Sequence, residues 1–408
     1  MLCLLTAKKF YLASHFIYFL PTKEFLSMNI AIDIRSLTDK KRTGVGEYTY
    51  ELLDSLFALD KENNYFLFYN SFKDVRDGLP NWLQANVHFV ATKFPNKIFN
   101  ILLLLKIFNL DKLLQSQVNK KLTSTRVDRL DYWFSPNFNF TNLSKDTKHV
   151  LTVHDLSFEF LPSCFSKKML LWHSLIKTRQ QVHKAHFVFT PSQNTKNDLV
   201  DVYHLNPNSI KVLYPGISKK FLQFLSQNID REKLKCKYNL PEKFIFFLGT
   251  LEPRKNILSI IDAYRKSNLI NKKIHLVIAG TRGWKYDKII SSIDNTRGVN
   301  YIGYVDAEDK PALYKLAELF VYPSLYEGFG FPVLEALISQ VPVITSNRSS
   351  LSEIVDDGVK LVNPHNIIEL KNSLLEVIKN KKDNVCFSQK DKFNWDKTAR
   401  EFLEMLVK

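Results

Sequence analysis

Thirteen short apolar runs, each followed by residues of helical pattern, constrain this 408-residue chain more than any other feature. In the first half they fall at 30–35, 65–69, 87–90, 132–135, 150–154, 187–190 and 210–214. In the second half they fall at 244–248, 274–279, 301–304, 319–322, 341–345 and 360–362. Runs this continuously apolar are buried on both faces, so they belong in parallel sheets with helices on each side. The chain is too long for one ordinary core. The pattern predicts an α/β protein of two Rossmann-like, doubly wound domains, residues 28–216 and 217–385, joined near Pro215-Gly216. Residues 386–408 read as a last helix with Trp395 and Leu403 on its buried face. Open sheets bind ligands beyond the carboxyl ends of their strands, so the loops after the runs are where function belongs.

The first 27 residues stand apart. Their apolar stretches are broken by Lys8, Lys9, His15, Pro21 and Lys23, too often for a spanning helix, and no small-residue cleavage site is evident. Because the first strand begins straight after Met28, residues 1–27 are expected to lie outside the fold, with Met28 as the true initiator. An interfacial anchor is the alternative.

Between Pro323 and Glu335 the chain reads Pro-Ser-Leu-Tyr-Glu-Gly-Phe-Gly-Phe-Pro-Val-Leu-Glu. An apolar strand precedes this segment and a helical pattern follows it. Pro332 suits the first helical position, where a missing N–H costs nothing. The glycine turn and helix N-terminus together make an anion site. Two carboxylates, Glu327 and Glu335, flank it, and a carboxylate can accept one hydrogen bond from each hydroxyl of a vicinal diol. Phosphate and hydroxyls in one ligand describe a nucleotide-sugar. The plain alternative is a helix start that merely favours nearby acids.

This segment resembles the donor signature of the retaining glycosyltransferases of family 4, which have the GT-B fold, and the likeness runs over residues 28–408. The resemblance implies that Glu327 contacts hydroxyls of the transferred sugar and Glu335 holds the ribose diol. It also implies that Gly328, Phe329 and Gly330 turn their amides to the diphosphate, and that the last helix crosses back onto the first domain. Gly44-Val45-Gly46, opening a helix after the first strand, corresponds to a loop set against donor phosphates and acceptor. His154, at the end of the run 150–153, corresponds to a histidine near the sugar's outer hydroxyls, while Asp155 suits a cap for the next segment. Gly303-Tyr304-Val305 corresponds to a stretch beside the nucleotide base, read by backbone groups.

Gly249 begins Gly-Thr-Leu-Glu-Pro-Arg-Lys-Asn, where Arg254 and Lys255 could neutralise a leaving diphosphate. Many family members carry arginine directly after this glycine and lysine five residues later. Here Thr250 takes the first place and Lys255 the second, so Arg254 is either a substitute or a solvated neighbour. Ser339-Gln340 stands where relatives commonly end in glycine.

Hydrophobic residues make up 45% and charged residues 24%, which describes a globular chain and excludes a disordered one. Cys3, Cys164, Cys236 and Cys386 show no paired spacing, which argues against disulfides and zinc and suits the cytoplasm. The net charge of +16 attracts anions: nucleotide diphosphates, anionic lipid, or nucleic acid without specificity, since no nucleic-acid motif is present. Residues 98–114 are apolar almost all round. They read as a buried first-domain helix, with interfacial docking through Lys93, Lys97, Lys106, Lys112, Lys120 and Lys121 as the alternative.

The resulting expectation is a glycosyltransferase without cofactor or metal, since no Asp-x-Asp motif accompanies the site. It would move a hexose, mannose favoured, from a nucleotide-sugar to a sugar or lipid-linked glycan in surface polysaccharide synthesis, in the cytoplasm or peripheral at the inner face of the membrane. Three rivals remain: a glycoside hydrolase using the two carboxylates, a nucleotide-sugar 2-epimerase of the same fold, and a catalytically idle partner in an envelope-assembly complex.

Overall fold

In the computed structural model, which describes residues 27–38, 44–121, 127–380 and 387–407, every one of the thirteen runs is a strand. Seven of them build the first sheet: β1 (Asn29–Asp33), β2 (Asn64–Asn70), β3 (Val87–Thr92), β4 (Tyr132–Ser135), β5 (Lys148–Thr152), β6 (Phe187–Thr190) and β7 (Ile210–Val212). The order across it is β3-β2-β1-β4-β5-β6-β7. The second sheet, β10-β9-β8-β11-β12-β13, uses β8 (Lys243–Leu248), β9 (Ile274–Ala279), β10 (Val299–Gly303), β11 (Leu319–Tyr322), β12 (Val343–Ser346) and β13 (Lys360–Val362). The pairings are parallel throughout. Each sheet starts in its middle, winds one way and then the other. The switch points fall between β1 and β4, and between β8 and β11.

The expectation about residues 1–27 falls almost wholly outside the described residues. Met28 itself is anchored, its amide donating to Asn63 Oδ1 at 2.8 Å.

The second domain has one continuous core and the first has three clusters, and the chain end divides between the domains. Phe387 and Phe393 pack in the second core, whereas Trp395, Ala399, Phe402 and Leu406 of the helix Trp395–Val407 complete one cluster of the first domain. Phe402 lies 4.8 Å from Phe134 and 5.3 Å from Phe189, ring centre to ring centre. The Tyr132 hydroxyl donates to Leu406 O at 2.7 Å. Gly216 makes the crossing possible: a Cβ there would stand 2.3 Å from the Trp395 amide nitrogen. The linker and the returning helix touch backbone to backbone.

Three details depart from expectation. The helix of the donor segment runs Phe331–Ile338 with Gly330 (φ 115°) as N-cap, so Pro332 is its second residue; the N–H missing there is still one of the unpaired first four. Residues 98–114 are not one buried helix. Lys106 at φ 57° breaks them into Asn96–Leu104 and a helix that starts at Leu110. Only one side of the first piece has a partner: Phe99 and Leu103 are buried, whereas Ile98, Ile101, Leu105 and Ile107 are 53–65% exposed. The third is Gln340, exposed and held at φ 61° just past a helix end, where a glycine is at ease and an L side chain costs about 1 kcal/mol. Gln340→Gly should therefore raise stability by roughly 1 kcal/mol in urea unfolding; an unchanged or lower midpoint would count against the strain.

Candidate active site

Because β8 and β11 are hydrogen-bonded neighbours, with Leu319 opposite Ile245, the loops leaving their carboxyl ends lie side by side. One is 249–256 and the other 323–330, the two segments singled out in the sequence. They are stitched together: Arg254 O accepts from Leu325 N (2.9 Å) and Ser324 Oγ (3.0 Å). The second loop is braced further by Ser350, whose hydroxyl is 2.9 Å from Glu327 O and 2.8 Å from Phe329 O.

Between the loops sits a buried cluster of four charges. Glu327 Oε1 accepts from Lys255 Nζ (2.7 Å), Ser324 Oγ (2.6 Å) and Tyr322 OH (3.1 Å), and Oε2 from Arg254 (2.9 Å). Arg254 also donates to Glu252 Oε1 (2.8 Å) and to Tyr326 O (2.7 Å). Glu252, Lys255 and Glu327 are all buried. Burial alone would raise the Glu327 carboxyl, but the charges of Arg254 and Lys255 outweigh it and hold the value down to about 2. The alternative of Arg254 as a solvated neighbour is thereby corrected: its guanidinium is a strut between both loops. With Oε1 saturated, only one lone pair of Oε2 remains for an incoming hydroxyl.

Glu335 lies in the second turn of its helix, so it is not a dipole-seeking acid of the first turn. Tyr314 OH donates to its Oε2 at 2.9 Å, and Lys310 Nζ stands 3.6 Å from Oε1. Lys310 and Tyr314, four apart on the helix Lys310–Leu316, present one face to this carboxylate. Lys310 and Tyr314 were not read from the sequence, nor were Glu252, Tyr322 and Ser324 in the cluster. Glu252 had a usable signal, an acid two residues before the cations on a strand-end loop. The helix of Lys310 and Tyr314 is distant in sequence from Glu335 and offered none.

Glycines line the same edge. Gly249 N–H donates to Ala279 O (3.0 Å), and Gly280 N–H to Gly303 O (2.7 Å). A Cβ on Gly280 (φ 133°) would lie 2.0 Å from Gly249 O. Tyr304, just beyond Gly303, is half-exposed. Val305 and Phe329 are different: their side chains are buried in the second core, Phe329 against Phe331 and Phe393, so only their backbones face the site.

The first domain brings His154 to this edge. A Cβ on Gly328 would stand 2.0 Å from His154 O, so the glycine of the second-domain turn rests on the histidine's own backbone. His154 Nε2 is 2.8 Å from Pro136 O. A carbonyl only accepts, so Nε2 carries the proton and Nδ1 keeps its lone pair. Burial lowers the imidazole below its usual value and keeps it neutral at pH 7. Its ring meets Tyr48 edge-on at 4.7 Å. Tyr48 belongs to the helix Gly44–Leu59, which opens with Gly44 and a buried Gly46. Asp155, expected to cap the next segment, instead forms a turn just ahead of it: the N-cap of the helix Ser157–Phe160 is Leu156, and Asp155 Oδ1 accepts from Ser157 N at 2.9 Å and Ser157 Oγ at 2.6 Å. The domains are further tied by Glu353, which accepts Gln193 N–H (2.8 Å) and Asn194 N–H (2.6 Å) at the start of the helix Gln193–Tyr203. Among the described residues, no cluster of His, Cys, Asp or Glu is arranged to hold a metal ion.

A family model described as Glycosyltransferase Family 4 matches residues 42–221, and one described as Glycosyl transferases group 1 matches residues 228–394. The chain belongs to glycosyltransferase family 4. Its relatives include O-antigen chain mannosyltransferase B of Escherichia coli, 30% identical over 260 residues that make up 61% of this chain and 66% of that protein. Serotype-specific mannosyltransferase WbdA, also of Escherichia coli, is 27% identical over 237 residues, 55% of this chain and 29% of that protein. The match spans just under two thirds of the first relative and under a third of the second. Among solved structures, HepE of Anabaena in complex with UDP and glucose superposes with a TM-score of 0.64 at 16% identity, covering 93% of this chain and 99% of that one. The shared fold is GT-B.

The cluster makes this protein acid-sensitive in a defined window. Glu327 has a folded-state value of about 2 against 4.5 ordinarily, so the stability from its ionisation is complete above that ordinary value and is lost as the pH falls toward 2. Wild type should thus exceed Glu327→Gln in stability at about pH 7, and the gap should narrow by about pH 3. A constant gap in urea unfolding across that range would contradict the charge pairing.

Proposed function

We propose that this protein is a retaining hexosyltransferase that moves mannose from a nucleotide-sugar to a sugar or lipid-linked glycan, in the building of a surface polysaccharide. The observation that carries the reading is the cluster of Arg254, Lys255 and Glu327 at the switch point of the second sheet, with His154 of the first sheet against the neighbouring Gly328. Such a site can bind a diphosphate at the cations and the glycine turn, and a sugar between the turn and His154. Glu335, already oriented by Tyr314 and Lys310, suits the ribose diol. In this reading Lys255 and Arg254 would neutralise the charge that develops on the leaving diphosphate, a role that elsewhere a metal ion can fill. In a front-face displacement the acceptor hydroxyl attacks the anomeric carbon, its proton passes to the departing phosphate oxygen, and the configuration is retained. Neutral His154 holds an outer hydroxyl of the sugar through its free Nδ1. Tyr304 and the backbone after Gly303 would flank the base. The mannose assignment draws on the mannosyltransferases among the relatives, and the acceptor on the O-antigen context of the first of them. We set the reaction in the cytoplasm at the inner face of the membrane, in keeping with the unpaired Cys164 and Cys236.

The test is donor binding followed by transfer. Thermal stabilisation by GDP-, UDP-, ADP- and dTDP-sugars should single out one nucleotide, and Glu335→Ala should weaken it by about tenfold or more. Lys255→Ala should lower kcat by about a hundredfold with a smaller change in KM, and transfer should persist in EDTA. Consumption of donor without any acceptor, with inversion at C2, would favour the epimerase instead. No stabilisation by any donor would favour the idle partner.

A further inference from the structure

The helix Asn96–Leu104 carries two apolar faces, and the domain uses only one. Phe99 and Leu103 point inward, packed with Phe68, Phe94 and Phe108. On the other side Ile98, Ile101 and Leu105 recur at helical spacing, and Ile107 of the following turn continues them, all more than half exposed. Phe94 adds a ring that is 39% exposed. Contiguous apolar surface of this kind on a water-soluble face marks an interaction site.

Charge selects the occupant. From Lys93 to Leu110 the chain contains Lys93, Lys97 and Lys106 and no acidic residue, and all three lysines are exposed. An isologous contact with a second copy would bring these cations against themselves. An apolar patch rimmed by lysines instead suits a bilayer surface, where side chains enter the acyl boundary and the ammonium groups meet anionic headgroups. No helix among the described residues is long and apolar enough to cross a membrane, so the contact is with the surface.

We propose that Phe94, Ile98, Ile101, Leu105 and Ile107, with Lys93, Lys97 and Lys106, form a docking face for an anionic phospholipid membrane. The face is fixed to the site edge of the first sheet. Phe99, on the inner side of the same helix, lies 5.9 Å from the Arg35 guanidinium, which is paired with Asp33 at the carboxyl end of β1. Asn96 accepts at 2.7 Å from Asn70, at the end of β2. Docking here sets the carboxyl ends of β1 and β2 toward the headgroups, and in that respect it deepens the reading of a lipid-linked acceptor.

The experiment is flotation of the full chain with phosphatidylcholine vesicles, with and without phosphatidylglycerol. Wild type should float with the anionic vesicles and not with the neutral ones. Lys97→Glu/Lys106→Glu and Ile101→Asp/Leu105→Asp should each weaken binding by about tenfold or more. Ile101→Gln/Leu105→Gln serves as an uncharged control, and thermal unfolding checks that each variant is folded. Absence of flotation, or equal flotation of folded variants, overturns the proposal. So does a wild-type dimer in ultracentrifugation that Ile101→Asp/Leu105→Asp dissolves. No donor is needed for flotation. Absence of wild-type flotation with transfer to a soluble acceptor intact sinks this inference alone, whereas flotation without transfer sinks the functional reading alone.

Discussion

Two carboxylates and two cations buried at the end of a parallel sheet persist only because each meets an opposite charge, and that requirement organises the site. Removing Glu327 from water is costly unless cations and hydroxyls replace the water it loses. Lys255, Arg254, Ser324 and Tyr322 do so, and satisfying them forces the loop after β8 and the loop after β11 into register. Glu252 then accepts from the other terminal nitrogen of Arg254, while the buried Nε of that guanidinium has no partner. The cations are thus held rigid, and the electrostatic role proposed for them depends on that preorganisation.

The same turn governs how the domains meet. Gly328 lies so close to His154 O that any side chain would force the sheets apart. From His154 an aromatic path runs through Tyr48 to Trp395, 5.3 Å further on, at the head of the helix that returns from the second domain. The site histidine is therefore supported by both ends of the chain. Glu353 adds a polar tie, its carboxylate satisfying the first amides of the helix Gln193–Tyr203 across the interface. Domain motion in this protein must break or preserve these named contacts.

Much of this was legible in the sequence for a physical reason. A parallel strand buried on both faces leaves a continuous apolar run, and all thirteen were found with ends shifted by a residue or two. Glycines are scarce, 12 in 408 residues, so those at strand ends stood out. The same logic fails over 98–114, where apolar character does not bring burial. Composition records what a side chain is, whereas burial depends on whether a partner stands opposite it, and Ile98, Ile101 and Leu105 have none within the domain.

The sequence by itself determined the two sheets, the glycine turn before Phe331 and the carboxylates and cations available for chemistry, because strand, turn and helix-start propensities are local. Only the tertiary structure decided which of them meet. Strand order made β8 the neighbour of β11, and so joined Lys255 to Glu327 across 72 residues of chain. Packing of Lys310–Leu316 against Phe331–Ile338 gave Glu335 its Tyr314, and the returning helix set Trp395 behind Tyr48. Such contacts follow from sheet topology and core packing, which bring together residues that no local spacing connects.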